Sequence, residues 1–174
     1  TIIVSGQRSS LRNSLRLRDD FFRKEKKRWK NELKTFANLD KILQSLDNGR
    51  FIASLFDKGL FNLTILWSCN VMEEVVNAAT DGIIAKSSIK RKLFRKEDGN
   101  FLPCTTQLKN LGFETHGDRS KQIDIETLWH KIRNKIAHYN YRPTFYETSE
   151  TIRILISVIR EMPEKLKNLD MVHG

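Results

Sequence analysis

Residues 125–143 read IETLWHKIRNKIAHYNYRP and predict a single amphipathic helix. At about 100° per residue, the apolar side chains fall within a stripe about 100° wide, the width of a helix surface that faces a core. The members of this stripe are Ile125, Leu128, Trp129, Ile132 and Ile136. Arg142 precedes Pro143, and a residue before proline is pushed out of the helical conformation. The helix is therefore expected to end between His138 and Tyr141.

Polar groups gather at the C-terminal end of this predicted helix. Arg133 lies at the margin of the apolar stripe, whereas Asn134 and His138, four residues apart, share the wetter side. Free carbonyls at the helix end favour a charged imidazole and nearby cations disfavour it, so His138 is placed to exchange a proton. A proton acceptor beside a fixed cation suits RNA cleavage by the neighbouring 2'-hydroxyl. That route needs no metal and no other cofactor.

The hexad RNKIAH at 133–138 resembles the R-(polar)-x-x-x-H signature of the HEPN superfamily. Members of this superfamily are helical bundles, commonly dimeric, and often metal-independent ribonucleases. The resemblance extends from about residue 60 to the end of the chain, and it implies that two copies of the hexad face each other across a subunit seam. Asn140 stands where HEPN toxins paired with nucleotidyltransferase antitoxins usually have tyrosine, although Tyr139 and Tyr141 flank it.

The resemblance also implies roles for the hexad side chains. His138 would be the base for the 2'-hydroxyl or the acid for the leaving 5'-oxygen, Arg133 would hold the scissile phosphate, and Asn134 would donate to a phosphate oxygen. The products would carry 2',3'-cyclic phosphate and 5'-hydroxyl ends. Further residues predicted to bind RNA are Lys135, Tyr139, Tyr141, Arg142, Lys90 and Arg91.

Composition indicates the fold class and the kind of partner. The 174 residues carry a net charge of +10, which favours an anionic partner, and they show no alternating strand pattern, so an all-α fold is expected. Cys69 and Cys104 lie in no metal-binding or disulfide pattern and are expected to be reduced. No apolar run reaches the length of a membrane span. We therefore expect a cytoplasmic protein that does not enter a membrane.

The chain divides into a basic N-terminal helical extension at 1–50, which packs on the bundle, and a HEPN-like helical domain at 51–174. The extension has two interpretations: an arm that binds nucleic acid, or a solvated helix that places Phe22, Trp29, Leu33 and Phe36 on the core. The second is favoured for the aromatic residues, and the role of the charges is left open. The basic residues of 7–34 are Arg8, Arg12, Arg16, Arg18, Arg23, Lys24, Lys26, Lys27, Arg28, Lys30 and Lys34.

The segment 60–86 is apolar around most of its circumference, which predicts a buried helix at the centre of the bundle. One narrow polar band interrupts it. Two interpretations of this band stay open: a strip at a dimer seam or open to water, or a strip in which Glu73 or Asn70 faces the hexad and orients Arg133 or His138. The band consists of Asn70, Glu73, Glu74 and Asn77.

The other segments are expected to support this domain. The basic residues of 86–96 predict a second charged surface, and 97–121 predicts a polar loop with a short helix at 105–111. A closing helix at 144–167 should kink, or give way to a new helix, at Pro163. Glycine-rich phosphate loops, Ser/His/Asp arrangements and paired catalytic carboxylates do not occur, so kinase, hydrolase and metalloenzyme functions have no support.

These patterns leave three functions open. The favoured one is an endoribonuclease that acts as a homodimer on RNA in a toxin, antiviral-defence or RNA-processing role, with an antitoxin or activator protein as a further partner. The second is a non-catalytic HEPN-like module that dimerises and binds RNA or a protein. The third is a basic helical DNA-binding regulator, for which no helix-turn-helix pattern is evident.

Overall fold

The computed structural model describes residue 17 and the ranges 20–117 and 122–171. In this part of the chain all regular secondary structure is helical, apart from one isolated bridge between Arg95 and Phe101, and the all-α prediction is confirmed. None of its helices is both long and apolar enough to cross a membrane. Predictions that fall outside these residues concern Arg8, Arg12, Arg16, Arg18 and the part of the predicted polar loop at 118–121.

The helices follow the chain in a simple order. They are α1 (Phe21–Glu32), α2 (Leu39–Asp47), α3 (Ile52–Asp57), α4 (Phe61–Lys86), a 3-10 segment (Ser88–Leu93), α5 (Cys104–Asn110), α6 (125–139) and α7 (Phe145–Met171). Helix α6 is continuous but changes its winding twice. It consists of an α-helical turn (Ile125–Thr127), a π-helical segment (Leu128–Arg133) and a second α-helical segment (Asn134–Tyr139).

Helix α4 is the centre of the bundle, as predicted. Its buried residues lie around most of its circumference, and it packs against α2, α3, α5, α6 and α7. The ring of Phe61, at its start, lies 5.8 Å from that of Phe145, at the start of α7. Lys90, just beyond the end of α4, donates to the carbonyl of Leu169 near the end of α7. The two longest helices of the described chain therefore run parallel.

The described part of the N-terminal extension contributes to the same core. Phe22, Trp29 and Leu33 are buried, which confirms the core interpretation of these residues. Apolar residues keep helical spacing from 32 to 46, which predicts one helical run, but this prediction is wrong because residues 33–38 form a break between α1 and α2. Asn38 adopts a left-handed conformation there, with φ 68°, and its side-chain amide donates to the carbonyl of Ala78.

The prediction of a basic surface at 86–96 is wrong at Lys90 and Arg95, which are 5% and 8% exposed. Lys90 is buried because its ammonium hydrogen-bonds the carbonyl of Leu169 at 2.6 Å. Arg95 is buried because its guanidinium is surrounded by acceptors from α4 and α5 and stacks 4.1 Å from the centre of the Phe101 ring. Both side chains join elements of the bundle.

The other helix predictions near these segments are largely confirmed. The short helix expected at 105–111 is α5, and Gly59, with φ 73°, ends the turn after α3. Helix α7 runs through Pro163 without interruption, so the alternative of a new helix at this proline is wrong. The residue lies well inside the helix, where its ring is buried.

Candidate functional site

The hexad lies at the C-terminal end of α6, in the helix that the sequence predicts. The five apolar residues of the predicted stripe are all at most 8% exposed. Arg133 and Asn134 are half-buried, whereas His138 is exposed. The helix ends at Tyr139, and Asn140 takes a left-handed conformation with φ 53°, which confirms the predicted end. Asparagine suits this position because its short polar side chain tolerates the left-handed region.

The π-helical segment Leu128–Arg133 leads directly into the hexad. Its last hydrogen bond runs from the Asn134 N–H to the Trp129 carbonyl, five residues back. Such segments are rare and occur often at functional sites, since the wider turn changes the direction of the side chains that follow. Sequence periodicity of the α type does not reveal this change of winding. It sets the angle at which Arg133 leaves the helix relative to Trp129.

Glu73 of α4 holds two side chains of α6. Its Oε1 accepts a hydrogen bond of 2.9 Å from the indole Nε1 of Trp129, and the same oxygen lies 3.6 Å from Nη2 of Arg133. The geometry therefore matches the interpretation in which Glu73 faces the hexad and orients Arg133. Asn70 is exposed, and its side chain makes no hydrogen bond to any other residue within the described ranges.

Two side chains of the hexad keep their hydrogen-bonding groups open. The Arg133 side chain is 36% exposed, and its ion pair with Glu73 is the one polar contact found for it in the described chain. The imidazole of His138 has no hydrogen bond or ion pair with a residue that the structure describes. The guanidinium and the imidazole can thus each meet a ligand, and the five residues from 133 to 138 separate the two side chains by about 140° around the helix axis.

The turn after the hexad is fixed by Glu147. Its Oε1 accepts from the backbone N–H of Thr144 at 2.8 Å, while the Glu147 N–H donates to the Thr144 hydroxyl at 3.1 Å. This is a capping box that starts α7. The Tyr141 hydroxyl donates to the same carboxylate oxygen at 2.8 Å, and this bond raises the pKa of Tyr141. Sequence reasoning missed Glu147, although the Thr-x-x-Glu spacing at 144–147 was there to find it.

The other predicted RNA-binding residues separate into two groups. Lys135, within the hexad, and Tyr139 and Arg142, just after it, are exposed. Tyr141 is half-buried beneath Lys135, whose ammonium lies 5.5 Å from the ring centre. Lys90 and its exposed neighbour Arg91 lie beside the far end of α7. The interval from residue 147 to residue 169 spans about 33 Å of helix, so these two do not share the surface of the hexad.

Trp129 had been assigned to the core alone, and its second role was missed. The side chain is 5% exposed, yet its N–H reaches the carboxylate that also faces Arg133. A general rule could have indicated this bond, because a buried indole N–H needs a hydrogen-bond acceptor. The acids of the polar band on α4, Glu73 and Glu74, were candidates for this acceptor.

Two buried thiols lie behind this site. Burial raises the pKa of both Cys69 and Cys104; the charge of Glu73 raises them further, and that of Arg133 lowers them. Both sulfurs are unbridged. In the described ranges no three His, Cys, Asp or Glu side chains are grouped closely enough to hold a metal ion.

The hexad occupies an open surface. One cavity, of about 660 Å³, lies between the loop before α6 and the second half of α7, and another, of about 480 Å³, lies between α2 and α4. Neither is lined by a hexad residue. An exposed helix end with open polar groups suits an extended polymer better than a small molecule, which is usually bound in a concave pocket.

Comparisons with known proteins place the chain in no family. No family model matches the sequence, and neither the curated proteins nor the solved structures contain a match.

Proposed function

We propose that this chain is a HEPN-type, metal-independent endoribonuclease. One observation carries the proposal: at the C-terminal end of α6, an exposed imidazole with no hydrogen bond or ion pair to any described residue lies five residues from a guanidinium that is ion-paired with Glu73. A proton-transfer group and a fixed cation, the two groups required for cleavage by the 2'-hydroxyl, are therefore both at least partly exposed near the end of one helix.

In the proposed reaction, His138 takes the proton of a ribose 2'-hydroxyl as O2' attacks the adjacent phosphorus. The bond from phosphorus to the 5'-oxygen breaks, and that oxygen receives a proton from an imidazolium, either the same His138 or its copy in a second subunit. Arg133 neutralises the charge that develops on the phosphoryl oxygens, and Asn134 donates a hydrogen bond to one of them. The products are a 2',3'-cyclic phosphate and a 5'-hydroxyl.

A homodimer is part of the proposal. Leu60, Leu63 and Trp67 are 40%, 45% and 40% exposed, and their spacing places them on one face at the start of α4. Large apolar side chains grouped on a surface are typical of protein–protein contacts. Since α4 also carries Glu73, a second subunit at this face would lie on the helix that orients Arg133.

The experiment compares the wild-type protein with Arg133→Ala on labelled single-stranded RNA in EDTA. The matched control is Lys131→Ala, which removes another cation from the exposed side of the same helix. Wild type and control should cleave in chelator and leave 2',3'-cyclic phosphate ends, whereas Arg133→Ala should lose cleavage. Cleavage that Arg133→Ala retains, or that chelator abolishes, would contradict the proposal.

The exposed face of α4 also favours a second candidate, a non-catalytic HEPN-like module that dimerises and binds RNA or a protein. A folded wild-type protein that binds RNA with a steep salt dependence and leaves it intact would favour this module. Both candidates fit the toxin, antiviral-defence or RNA-processing roles, in which an antitoxin or activator protein is a further partner.

A further inference from the structure

Helix α1 separates its basic residues into two sets. Those beside the bundle or the helix ends are paired: Lys26 lies 2.7 Å from an Asp47 oxygen, and Arg28 forms a salt bridge of 2.6 Å with Glu25. The side chains of the second set are exposed, and they make no hydrogen bond or ion pair with any residue in the described ranges. We call this set the α1 lysine face; it consists of Lys24, Lys27, Lys30 and Lys34.

The α1 lysine face points away from the core. Lys24, Lys27 and Lys30 fall within about 120° of one another around the helix, and Lys34 follows in the turn after it. Phe22 and Trp29, which are 4% and 0% exposed, lie on the opposite side. Four ammonium groups on one surface that form no ion pair with any described residue repel one another, and an anionic partner would relieve this repulsion.

The buried aromatic residues decide against a membrane as this partner. A helix that binds a bilayer surface places its apolar face among the lipid chains and its basic face among the headgroups. The apolar side of α1 already packs into the bundle, with Phe21 and Phe22 at most 5% exposed. Only the charges remain for an external partner, so the contact has to be electrostatic.

The residue type favours a nucleic-acid backbone over an acidic protein. Lysine is depleted in protein–protein interfaces, whereas arginine and aromatic residues are enriched there. The exposed face of α1 offers lysines without an exposed ring to stack on bases. A row of strongly hydrated point charges suits phosphates, whose binding releases counterions and does not depend on base sequence.

The α1 lysine face is separate from the hexad. Arg28 of α1 donates to the carbonyl of Arg160 on α7, while Tyr141, after the hexad, reaches Glu147 on the same helix. The interval from residue 147 to residue 160 spans about 20 Å of helix. Contacts at α1 would thus hold a strand some distance from the place where cleavage is proposed.

We infer that the α1 lysine face binds the phosphate backbone of a nucleic-acid strand without reading its sequence. This binding surface stands whether or not the hexad cleaves RNA. The N-terminal extension would then bind nucleic acid through its lysines, since its aromatic residues are buried in the core.

The test measures the salt dependence of RNA binding by the triple variant Lys24→Gln/Lys27→Gln/Lys30→Gln. Glutamine removes the charges and keeps a high helix propensity, so α1 should remain folded, as circular dichroism would verify. The control Lys58→Gln/Lys92→Gln/Lys109→Gln lowers the net charge equally at exposed positions elsewhere. Both sets are made in the His138→Ala background so that cleavage does not disturb the measurement, and the failure of one proposal leaves the other intact.

For single-stranded RNA, the slope of log K against log salt should become shallower by about 2 in the α1 variant, since each lost phosphate contact contributes about 0.7. The control slope should stay at the parent value. A parallel loss with duplex DNA supports a surface for phosphates in general. Equal slopes in the α1 variant and the control would overturn the inference. It would also be overturned if the α1 variant lost binding to vesicles of anionic phospholipid but bound RNA with the parent slope.

Discussion

Two arginines lie beside acids of α4, and they are used in opposite ways. Arg95 is 8% exposed, and its guanidinium donates to Thr80, Gln107, Asp81 and two backbone carbonyls. The Arg133 side chain is 36% exposed, and a single ion pair of 3.6 Å with Glu73 is the polar contact found for it in the described chain.

The difference shows which arginine is free to bind a ligand. Guanidinium carries five N–H donors, and those of Arg95 are largely used inside the protein, so this residue joins α4 to α5 and contributes to stability. Most N–H donors of Arg133 have no acceptor among the described residues. Glu73 holds the guanidinium in position but uses few of its donors. A requirement for Arg95 in cleavage, or cleavage that does not require Arg133 and His138, would contradict this distinction between the two arginines.

The largest expected effect is that of His138→Ala. The imidazole makes no contact that holds the fold within the described ranges, so its loss should leave the melting temperature unchanged. Loss of a proton-transfer group should lower the rate of RNA cleavage by about 10²- to 10⁴-fold. The control is His130→Ala, an exposed histidine of the same helix that pairs with Glu126. Normal turnover by folded His138→Ala protein would remove the proposed mechanism.

The next effect is on stability and concerns Arg95→Ala. The substitution leaves the buried side chains of Thr80 and Gln107 without a charged donor and opens a cavity beside Phe101. We expect a loss of about 3 kcal/mol in the free energy of unfolding, measured with a chemical denaturant. Lys92→Ala, at a nearby exposed position, should change it by less than about 0.5 kcal/mol. A change in Arg95→Ala no larger than this would show that the network is not structural.

Sequence alone could predict one of these arginines and not the other. Arg133 belongs to a helix with clear apolar periodicity and a recognisable hexad, so its position at the margin of the core stripe could be predicted. Arg95 lies in a run of basic residues at 90–96, and a solvated surface was the natural prediction. Its burial depends on Gln107 and Phe101, which reach it only once the chain has folded. Long-range partners of this kind leave no local pattern.

The same limit applies elsewhere. Local signals were sufficient for α4, for the end of α6 at Asn140 and for the start of α7. The break at 33–38 was missed because the apolar spacing continues across it, although Asn38 bends the chain toward the carbonyl of Ala78. The π-helical segment was missed because α-type spacing of the same apolar residues fits its sequence equally well.

The substitution Glu73→Gln tests whether Arg133, unlike the buried Arg95, depends on a single acid for its position. The amide keeps an acceptor for the Trp129 N–H but removes the charge that attracts the guanidinium. Cleavage should fall about tenfold because Arg133 is less well positioned, while stability should change by less than about 1 kcal/mol for a partly exposed pair. Glu74→Gln, which alters a neighbouring acid bonded to Asn48, is the control for the rate of cleavage. Equal rates in the two variants would mean that Arg133 needs no acid to orient it.

A smaller effect is expected at the turn behind the hexad. Glu147→Ala removes the capping box with Thr144 and the bond from Tyr141. The free energy of unfolding should fall by about 1 kcal/mol, a usual cost of losing a helix cap. The pKa of Tyr141 should fall toward its ordinary value once the carboxylate is gone, which NMR titration of the phenol would follow. An unchanged titration would show that this hydrogen bond does not persist in solution.

The smallest expected effect is that of replacing Asp124, which lies at the end of α6 opposite to the hexad. At the N-terminal end, Asp124 accepts from the backbone N–H groups of Thr127 and Gly117, at 2.7 and 3.2 Å. Burial acts to raise its pKa, but these hydrogen bonds outweigh burial, and the pKa lies below the ordinary value of 3.8. A lowered folded-state pKa means that the bonds stabilise the protein above the unfolded-state pKa, and that this stability is lost as the pH falls through the folded-state value.

Asp124→Ala should therefore cost up to about 1 kcal/mol of unfolding free energy at neutral pH. The difference from wild type should shrink below about pH 4, where the wild-type carboxyl also begins to lose its charge. Denaturant titrations of both proteins at several pH values would measure this. The rate of RNA cleavage at neutral pH should be unchanged, because the hydrogen bonds of Asp124 are all made inside the protein. A large loss of cleavage in stable Asp124→Ala protein would show that both ends of α6 act in the reaction, and that open hydrogen-bonding groups are not what distinguishes its functional end.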